Sequence, residues 1–484
     1  MTTPHEYDLV ILGGGAAAFA AITEADRRGL STAIVNAGLP LGGTCVNVGC
    51  VPSKHLLEVG KTAFEPPRNP FDAVQYDRAQ PTTDWADAID EKDTLVASLR
   101  DQNYTSVADH FGTAIYKGYG RFIDDTTILV KDGPDAGTEI VGERALIATG
   151  SSPRIVPFDG LDTVEYETSE TILERRDLPE EVVVIGGGYV GLEWSQILHH
   201  MGADVTVLQR SDHVLSGMDS ELSRELERTF EAEGISVVTN ATVREVSPTS
   251  VPSNGSDQDG VLVRTEVNGD PREFEGSGLF LATGVSPNTS DIGLDSIGVE
   301  TAESDAIRVD HTFRTTNPAV YAAGDCIGEP MLETVAAKEG NHVVRNAFGD
   351  EGIGIDYREV PKVVYTSPEV ASVGTTEAAY MDQHGTCTCE TVRMEDVPKA
   401  KAVKDSRGFV QVVKHHETDE IVGVHMVGPR AADMISEATL AVKFGHTVDD
   451  IIDTIHPFPT FSEAFKHACQ AFRRDVSQMS CCVE

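Results

Sequence analysis

Short apolar runs that end on glycine recur along the chain. "YDLVILGGGAAAFAAI" at 7–22 and "EVVVIGGGYVGLEWSQIL" at 181–198 share one pattern: a β-rich apolar run, a glycine turn, then a stretch of small and apolar residues. Each predicts a strand, a tight turn and a helix, and each is followed by a second strand, "STAIVN" at 31–36 and "ADVTVLQR" at 203–210. "ALIATGSSPRIVPFDG" at 145–160 and "LFLATGVSPNTSDIGL" at 279–294 read as strands running into glycine turns with prolines, where the chain leaves one unit for another. "KDGPDAGTE" at 131–139 and "SPTSVPSNGSDQDG" at 247–260 are polar loops without a core to join. From about residue 357 the pattern changes, with strands "GFVQVVKH" and "IVGVHMVG" followed by the helical "ADMISEATLAVKFG", which predicts a separate α+β domain.

The glycines in the two opening motifs are spaced for a nucleotide. Gly13, Gly15 and Ala18 in the first, and Gly186, Gly188 and Gly191 in the second, form the βαβ dinucleotide fingerprint twice. The first glycine permits the turn, the second lets a pyrophosphate approach the backbone, and the third small residue lets helix and strand pack. The phosphates then face the helix N-terminus. The expected architecture is α/β: two Rossmann-like dinucleotide-binding domains plus a C-terminal α+β domain. The expected limits are 1–155 and 279–350 for the two parts of the first nucleotide domain, 156–278 for the second domain and 357–484 for the C-terminal one.

Length and charge narrow the class. At 484 residues the chain exceeds one hydrophobic core. Its formal charge is −40, from 78 acidic and 38 basic residues spread along the whole chain, which repels nucleic acid and anionic lipid. Acidity at this level fits a cytosol loaded with salt, and so a halophile. No run approaches the roughly 18 apolar residues of a membrane span, and no basic residue precedes the first apolar run as in a signal peptide, so a cytoplasmic protein is expected.

Eight cysteines in so long a chain point to chemistry more than to structural disulfides. In "GGTCVNVGCVPSK" at 42–54, Cys45 and Cys50 are five residues apart and do not share a face of a regular helix, so Gly49 must help the turn if the sulfurs are to meet. Lys54 and a helix N-terminus nearby would favour a thiolate, and the pair reads as a redox dithiol. Cys481 and Cys482 close the chain side by side. Adjacent Cα atoms lie about 3.8 Å apart, closer than ordinary disulfides allow, so the two stay as free thiols suited to a soft metal ion, or belong to an uninvolved chain end. Cys326 and Cys469 read as packing. Cys387 and Cys389 are a weak metal signal, and the histidines, His415 and His416 among them, show no ligand spacing.

With these residues in hand the chain resembles the flavoprotein disulfide reductase family along its whole length. "RTTNPAVYAAGD" at 314–325 is similar to that family's second FAD motif, with Asp325 toward the ribityl chain. The resemblance implies that electrons pass from a nicotinamide to FAD and then to the dithiol. Cys45 would be the exchanging thiol and Cys50 the one in charge-transfer contact. Lys54 would sit near the flavin, paired with Glu193, and Tyr189 would cover the nicotinamide pocket. Gly43, Thr44, Thr149, Gly150 and Gly284 join the glycines above as candidate cofactor contacts. Asn36 stands where the family usually places an acid for the adenosine ribose.

Two further features select a branch. Disulfide reductases place a histidine before Pro-Thr in a C-terminal motif as acid/base for the leaving thiol. In "IHPFPTFSEAF" that position is Phe458, which cannot carry a proton, and His456 lies two residues earlier. "FRRDVSQMSCCVE" resembles the C-terminus of the mercuric reductase branch. That implies reduction of Hg(II), delivered as a thiol complex, to Hg(0), with Cys45, Cys50, Cys481 and Cys482 as metal ligands and the tail reaching a partner subunit in a homodimer. A dihydrolipoamide dehydrogenase-like or other disulfide reductase, with His456 as base, is the alternative. Gln209 and Arg210 end the second strand of the second unit, and a neutral residue beside an arginine admits a 2′-phosphate, so NADPH is the expected nucleotide.

Overall fold

Strand His5–Leu12 lies at the centre of a seven-stranded sheet, paired in parallel with Thr32–Asn36 on one side and Glu139–Ile147 on the other. The computed structural model describes residues 5–74, 83–249, 260–386 and 388–474. Helices and loops cover both faces at the centre of this sheet, so residues 9–12 and 32–35 are continuous buried runs that do not alternate. Leu9 and Ile11 pack under helices Ala16–Arg27 and Glu333–Gly349, whereas Val10 and Leu12 face Phe122, Ile128 and Val130. Strand Val320–Ala322 joins Glu139–Ile147 in parallel, which brings residues from the far end of the chain into the first sheet.

The second motif builds a four-stranded parallel sheet around Glu181–Ile185, flanked by Asp204–Leu208 and Gly278–Leu281. Strand Gly278–Leu281 carries this sheet past residue 278, the expected domain limit, because its apolar side chains complete the parallel core there. Val182 and Val184 face helix Tyr189–His200; Val183 and Ile185 face an antiparallel meander of strands Ala241–Thr249, Gly260–Val267 and Asp270–Gly276. The two passages predicted from their glycines and prolines become a two-stranded ribbon, Ser151–Pro153 against Val285–Pro287.

Five antiparallel strands form the C-terminal sheet, including Phe409–Lys414 and Ile421–Gly428 as expected. Val410, Val412, Val424 and Met426 on one face meet helices Ala431–Phe444 and Glu463–Ala471. Phe409 and Val427 instead join the core of the second nucleotide unit with Leu222 and Leu226, so this sheet is fastened to that unit through apolar contact. Among the described residues no helix is long and apolar enough to cross a membrane.

Two helices from distant parts of the chain, Ala16–Arg27 and Glu333–Gly349, touch backbone to backbone. A Cβ on Gly340 would lie 2.0 Å from the carbonyl oxygen of Ala17, an overlap no rotamer relieves. Alanine in a helix interior is ordinarily more favourable than glycine by about 1 kcal/mol. Gly340→Ala is expected to reverse that sign and destabilise by roughly 1–3 kcal/mol, as overpacking does. Gly217→Ala, with no atom within 4 Å of its Cβ, is expected to change little. Urea unfolding midpoints of the two variants check both expectations.

Candidate active site

The first glycine motif lines a cavity of about 660 Å³ at the ends of the parallel strands. Gly13 has φ +111°, and a Cβ there would lie 2.1 Å from the Ala148 carbonyl oxygen, so only glycine makes this turn. Gly15, beside it, keeps 3.8 Å between its own Cβ position and the nearest atom, which leaves the helix N-terminus bare. Asn36, Gly43, Thr44, Thr149, Gly150 and Asp325 line the same cavity. Ala18 is fully buried in the helix behind it. Asp325 accepts the Ser151 hydroxyl at 2.6 Å, and burial pushes its carboxyl up from the ordinary range. Behind it Glu339 accepts the Gly324 amide at 2.7 Å and the Tyr357 hydroxyl at 2.7 Å, which holds the turn that presents Asp325.

Cys45 and Cys50 open on this cavity from two separate helices, Gly43–Asn47 and Cys50–Phe64. The break falls at Val48–Gly49. A Cβ on Gly49 would stand 2.9 Å from the Thr44 carbonyl oxygen, so a side chain there would push the two cysteine segments apart. The expected need for a glycine between the sulfurs is met in this way. The Cys45 thiol donates to the Glu333 carboxylate. The sulfurs and a Glu333 oxygen all lie within 4.8 Å of one another, and among the described residues this is the one group of three such ligands.

The environment separates the two thiols. The neighbouring Cys50 sulfur, then burial, then the Glu333 carboxylate push the Cys45 thiol far up. The neighbouring Cys45 thiol and, after it, the Lys54 charge pull Cys50 down, against burial and against Glu333 and Glu193. Cys50 also opens a helix, whose N-terminal dipole favours an anion. The surroundings therefore favour the thiolate on Cys50 over the thiolate on Cys45.

Lys54 stands one turn further along the helix and donates to Glu193 at 2.5 Å. Glu193 is 5% exposed and its second oxygen accepts the Tyr365 amide at 3.0 Å, while the Tyr365 ring lies 4.7 Å from the ammonium. The geometry follows from packing: Leu56 and Leu57 share a core with Trp194 and Ile197, and Gly60 lets the helices approach at His200. Tyr189 begins the second helix, and burial pushes its phenol up to about 12.

In the second motif a Cβ on Gly186 or Gly191 would overlap backbone at 2.2 and 1.9 Å, whereas Gly188 has open space above it. Gln209 accepts the Gly187 amide at 2.9 Å, bracing the turn. Arg210 is exposed and makes no hydrogen bond or ion pair among the described residues. Gly284, at φ +97°, accepts the Arg154 amide at 2.9 Å in the connecting ribbon.

Glu333, Tyr104 and Tyr365 escaped the sequence reading. One acid among 78 has no distinguishing mark, and its signal lay in its position opening a helix eight residues after Asp325. Tyr104 donates to the other Glu333 oxygen at 3.4 Å. Cys326 and Cys469 are fully buried, as expected for packing. Cys481, Cys482 and Cys387 lie outside the described residues. Phe458 is 49% exposed, and His456 is held on both ring nitrogens, by Thr454 at 2.9 Å and Glu437 at 2.8 Å.

Two nucleotide turns, a dithiol at the end of the first and a Lys–Glu pair between them define a pyridine nucleotide-linked dithiol oxidoreductase. The pyridine nucleotide-disulphide oxidoreductase family matches residues 7–340, and that family's dimerisation domain matches 360–469; the chain belongs to this family. It is similar to the mercuric reductase of Lysinibacillus sphaericus, at 37% identity over 98% of this chain and 84% of that protein. The mercuric reductase of Streptomyces lividans is 39% identical over 98% of both chains. The structure of LpdA from Mycobacterium tuberculosis superposes with a TM-score of 0.85 at 28% identity, over 97% of this chain and 100% of that one. The family works with FAD and a pyridine nucleotide, and the cavity fits the flavin nucleotide, with a bare glycine turn, a helix N-terminus and the Asp325 carboxyl along one wall.

The charges around Cys50 act in opposite directions, and removing them is expected to separate the effects. In the reduced enzyme, Lys54→Met is expected to move the pH profile of Cys50 alkylation upward, since the cation favouring the thiolate is gone. Glu333→Gln is expected to move it downward. Rates of iodoacetamide labelling across pH, with the modified peptide identified by mass spectrometry, read both shifts.

Proposed function

We propose that this protein is an NADPH-dependent flavoenzyme that reduces Hg(II) to elemental Hg(0), acting as a cytoplasmic homodimer in a salt-rich cell. The observation that carries the reading is a dithiol at the dinucleotide cavity in a chain whose acid/base position ahead of Pro459 and Thr460 is Phe458. The mercuric reductases named above support it at full chain length. In this reading residues 1–155 and 279–350 form the flavin domain, 156–278 the nucleotide domain and 357–484 the dimerisation domain, with strand Gly278–Leu281 left on the nucleotide sheet.

Hg(II) is soft and prefers thiolates, and two are enough to hold it. The Cys481–Cys482 pair takes the ion from a small thiol, forming sulfur–mercury bonds as the carrier thiolates depart and take up protons from solvent. Exchange onto Cys45 and Cys50 repeats this, so the metal is never released free. Cys45, the exchanging thiol, takes the ion first and passes its proton to the Glu333 carboxylate as its bond forms, and Cys50 closes on the metal as a thiolate. FAD, when bound, would supply from the nicotinamide the two electrons that reduce Hg(II) held between Cys45 and Cys50, whose sulfurs stay at the thiol level throughout. The balance is NADPH plus Hg(II) giving NADP⁺, a proton and Hg(0). Lys54, held by Glu193, keeps a positive charge beside Cys50, and Tyr189 covers the nicotinamide pocket. Gln209 braces the second turn and Arg210 offers a free guanidinium to the 2′-phosphate.

Reduction of a disulfide is the second reading, with His456 as base. Both nitrogens of that ring are already bound within its own domain, and the Glu437 carboxylate, chiefly, raises its pKa, which suits a structural ion pair.

The deciding measurement is NADPH oxidation in molar KCl with excess small thiol, offering Hg(II), oxidised lipoamide and glutathione disulfide in turn. Mercury-dependent turnover with volatile Hg(0), and little response to either disulfide, is expected. Turnover of a disulfide with inhibition by mercury would overturn the reading. Cys481→Ala with Cys482→Ala is expected to slow turnover of bulky mercury–thiol complexes. Arg210→Glu is expected to cut the preference for NADPH over NADH by roughly tenfold or more, the scale of one charge-assisted hydrogen bond.

A further inference from the structure

Three histidines from two separate stretches of the sequence meet on the C-terminal domain. His384 ends helix Glu377–His384, and His415 and His416 follow strand Phe409–Lys414. Their ring centres lie 5.5 Å apart for His384 and His416, 5.9 Å for His384 and His415, and 4.7 Å for His415 and His416. We propose that His384, His415 and His416 form a binding site for one borderline divalent transition-metal ion, of the zinc, nickel or copper class.

The spacing is that of imidazoles sharing an ion. A metal–nitrogen bond of about 2.0–2.1 Å puts a ring centre roughly 3.2 Å from the metal, so two ligands at a tetrahedral angle have centres roughly 5 Å apart. As the rings stand their nitrogens do not all lie within 4.8 Å of one another, and His415 and His416 are stacked at 27°, so the proposal requires the rings to turn about χ1 and χ2 as the ion binds. His384 and His416 are exposed, and His384 makes no hydrogen bond among the described residues, so both its nitrogens are available.

His416 is prepared by its neighbour. Tyr380, 2% exposed, accepts the His416 backbone N–H at 3.0 Å, and the same oxygen lies 2.6 Å from Nδ1. With the proton on Nδ1 and donated to Tyr380, the Nε2 lone pair faces outward, which is how ligand histidines are ordinarily oriented by a second partner. Tyr380 also stacks on His384, with ring centres 4.3 Å apart, so one buried phenol positions two of the ligands. His415 accepts the Glu417 and Thr418 amides on Nδ1 at 3.3 Å each and joins through Nε2, at the cost of those long contacts. The Glu417 carboxylate, 3.9 Å from His416 Nε2, favours a cation.

None of these residues lines the dinucleotide cavity. The chemistry differs too, since imidazole suits borderline ions whereas soft Hg(II) prefers the thiolates. An ion here would tie the end of a helix to the turn between strands Phe409–Lys414 and Ile421–Gly428, and would not be reduced.

Calorimetric titration of the holoenzyme with Ni²⁺, its dithiol kept oxidised, tests the site. One Ni²⁺ per chain is expected, weakened at least tenfold in His384→Gln and again in His416→Gln, with mercury-dependent NADPH oxidation unchanged in both. His110→Gln, an exposed histidine elsewhere, is expected to bind as wild type does. Equal affinity in wild type and both cluster variants, absence of binding, or loss of binding on alkylating the thiols instead would each overturn the proposal.

Discussion

The ion pair between Lys54 and Glu193 joins the two nucleotide units one helical turn from Cys50. Each partner sits on a helix whose apolar face packs on the other, so the pair is aligned by Leu56, Leu57, Trp194 and Ile197 and not by its own attraction. Glu193 is nearly buried, which makes a lone carboxylate there expensive and a lone cation beside Cys50 poorly placed. The same carboxylate takes the Tyr365 amide from the C-terminal domain, so one buried acid is shared by all three parts of the chain. Any change that parts the two helices therefore disturbs the charge next to the thiolate before it disturbs either nucleotide turn.

Local patterns were legible in the sequence and long-range ones were not. The glycine motifs follow from sterics within a few residues. Gly13 meets Ala148 and Gly186 meets Ala282, so each glycine reports a strand crossing that the apolar runs also announce. Cys45 and Cys50 could be paired from spacing because the break that joins them lies between them. Glu333 could not, since it reaches Cys45 across 288 residues through a helix whose position depends on Gly340 meeting Ala17. The histidine cluster was invisible for a related reason: the separation of residues 384 and 415 is set by the pairing of the C-terminal strands, which carries no ligand spacing along the chain. The limit at residue 278 was drawn just ahead of the apolar run that opens at 279, whereas that run pairs with Glu181–Ile185 and completes the second sheet.

The acidic charge of the chain sharpens the contrast at the site. Among the described residues many acids lie at the surface in exposed pairs such as Arg176 with Asp90 or Arg473 with Asp449, where screening leaves each pair little energy. Glu193, Glu333 and Glu339 differ because each accepts specific donors from other elements. Their carboxylates set proton positions more than they add net charge. Glu339 fixes the turn before Asp325, Glu193 fixes Lys54, and Glu333 meets Cys45.

That division explains why a proton-carrying residue ahead of Pro459 can be dispensed with. Opening a disulfide expels a thiolate that must be protonated, and the reagent has to come from outside the dithiol. Reducing a thiolate-bound soft metal expels no such group once the carrier thiols have been exchanged, so the demand falls on having both sulfurs as thiolates by the time they share the ion. Cys50, at a helix N-terminus near Lys54, is shifted toward the thiolate, and Cys45 has the Glu333 carboxylate beside it to take its proton. A chain so arranged gains nothing from a histidine at position 458. An exposed phenylalanine there leaves His456 in its ion pair with Glu437, where it fastens the C-terminal segment to helix Ala431–Phe444.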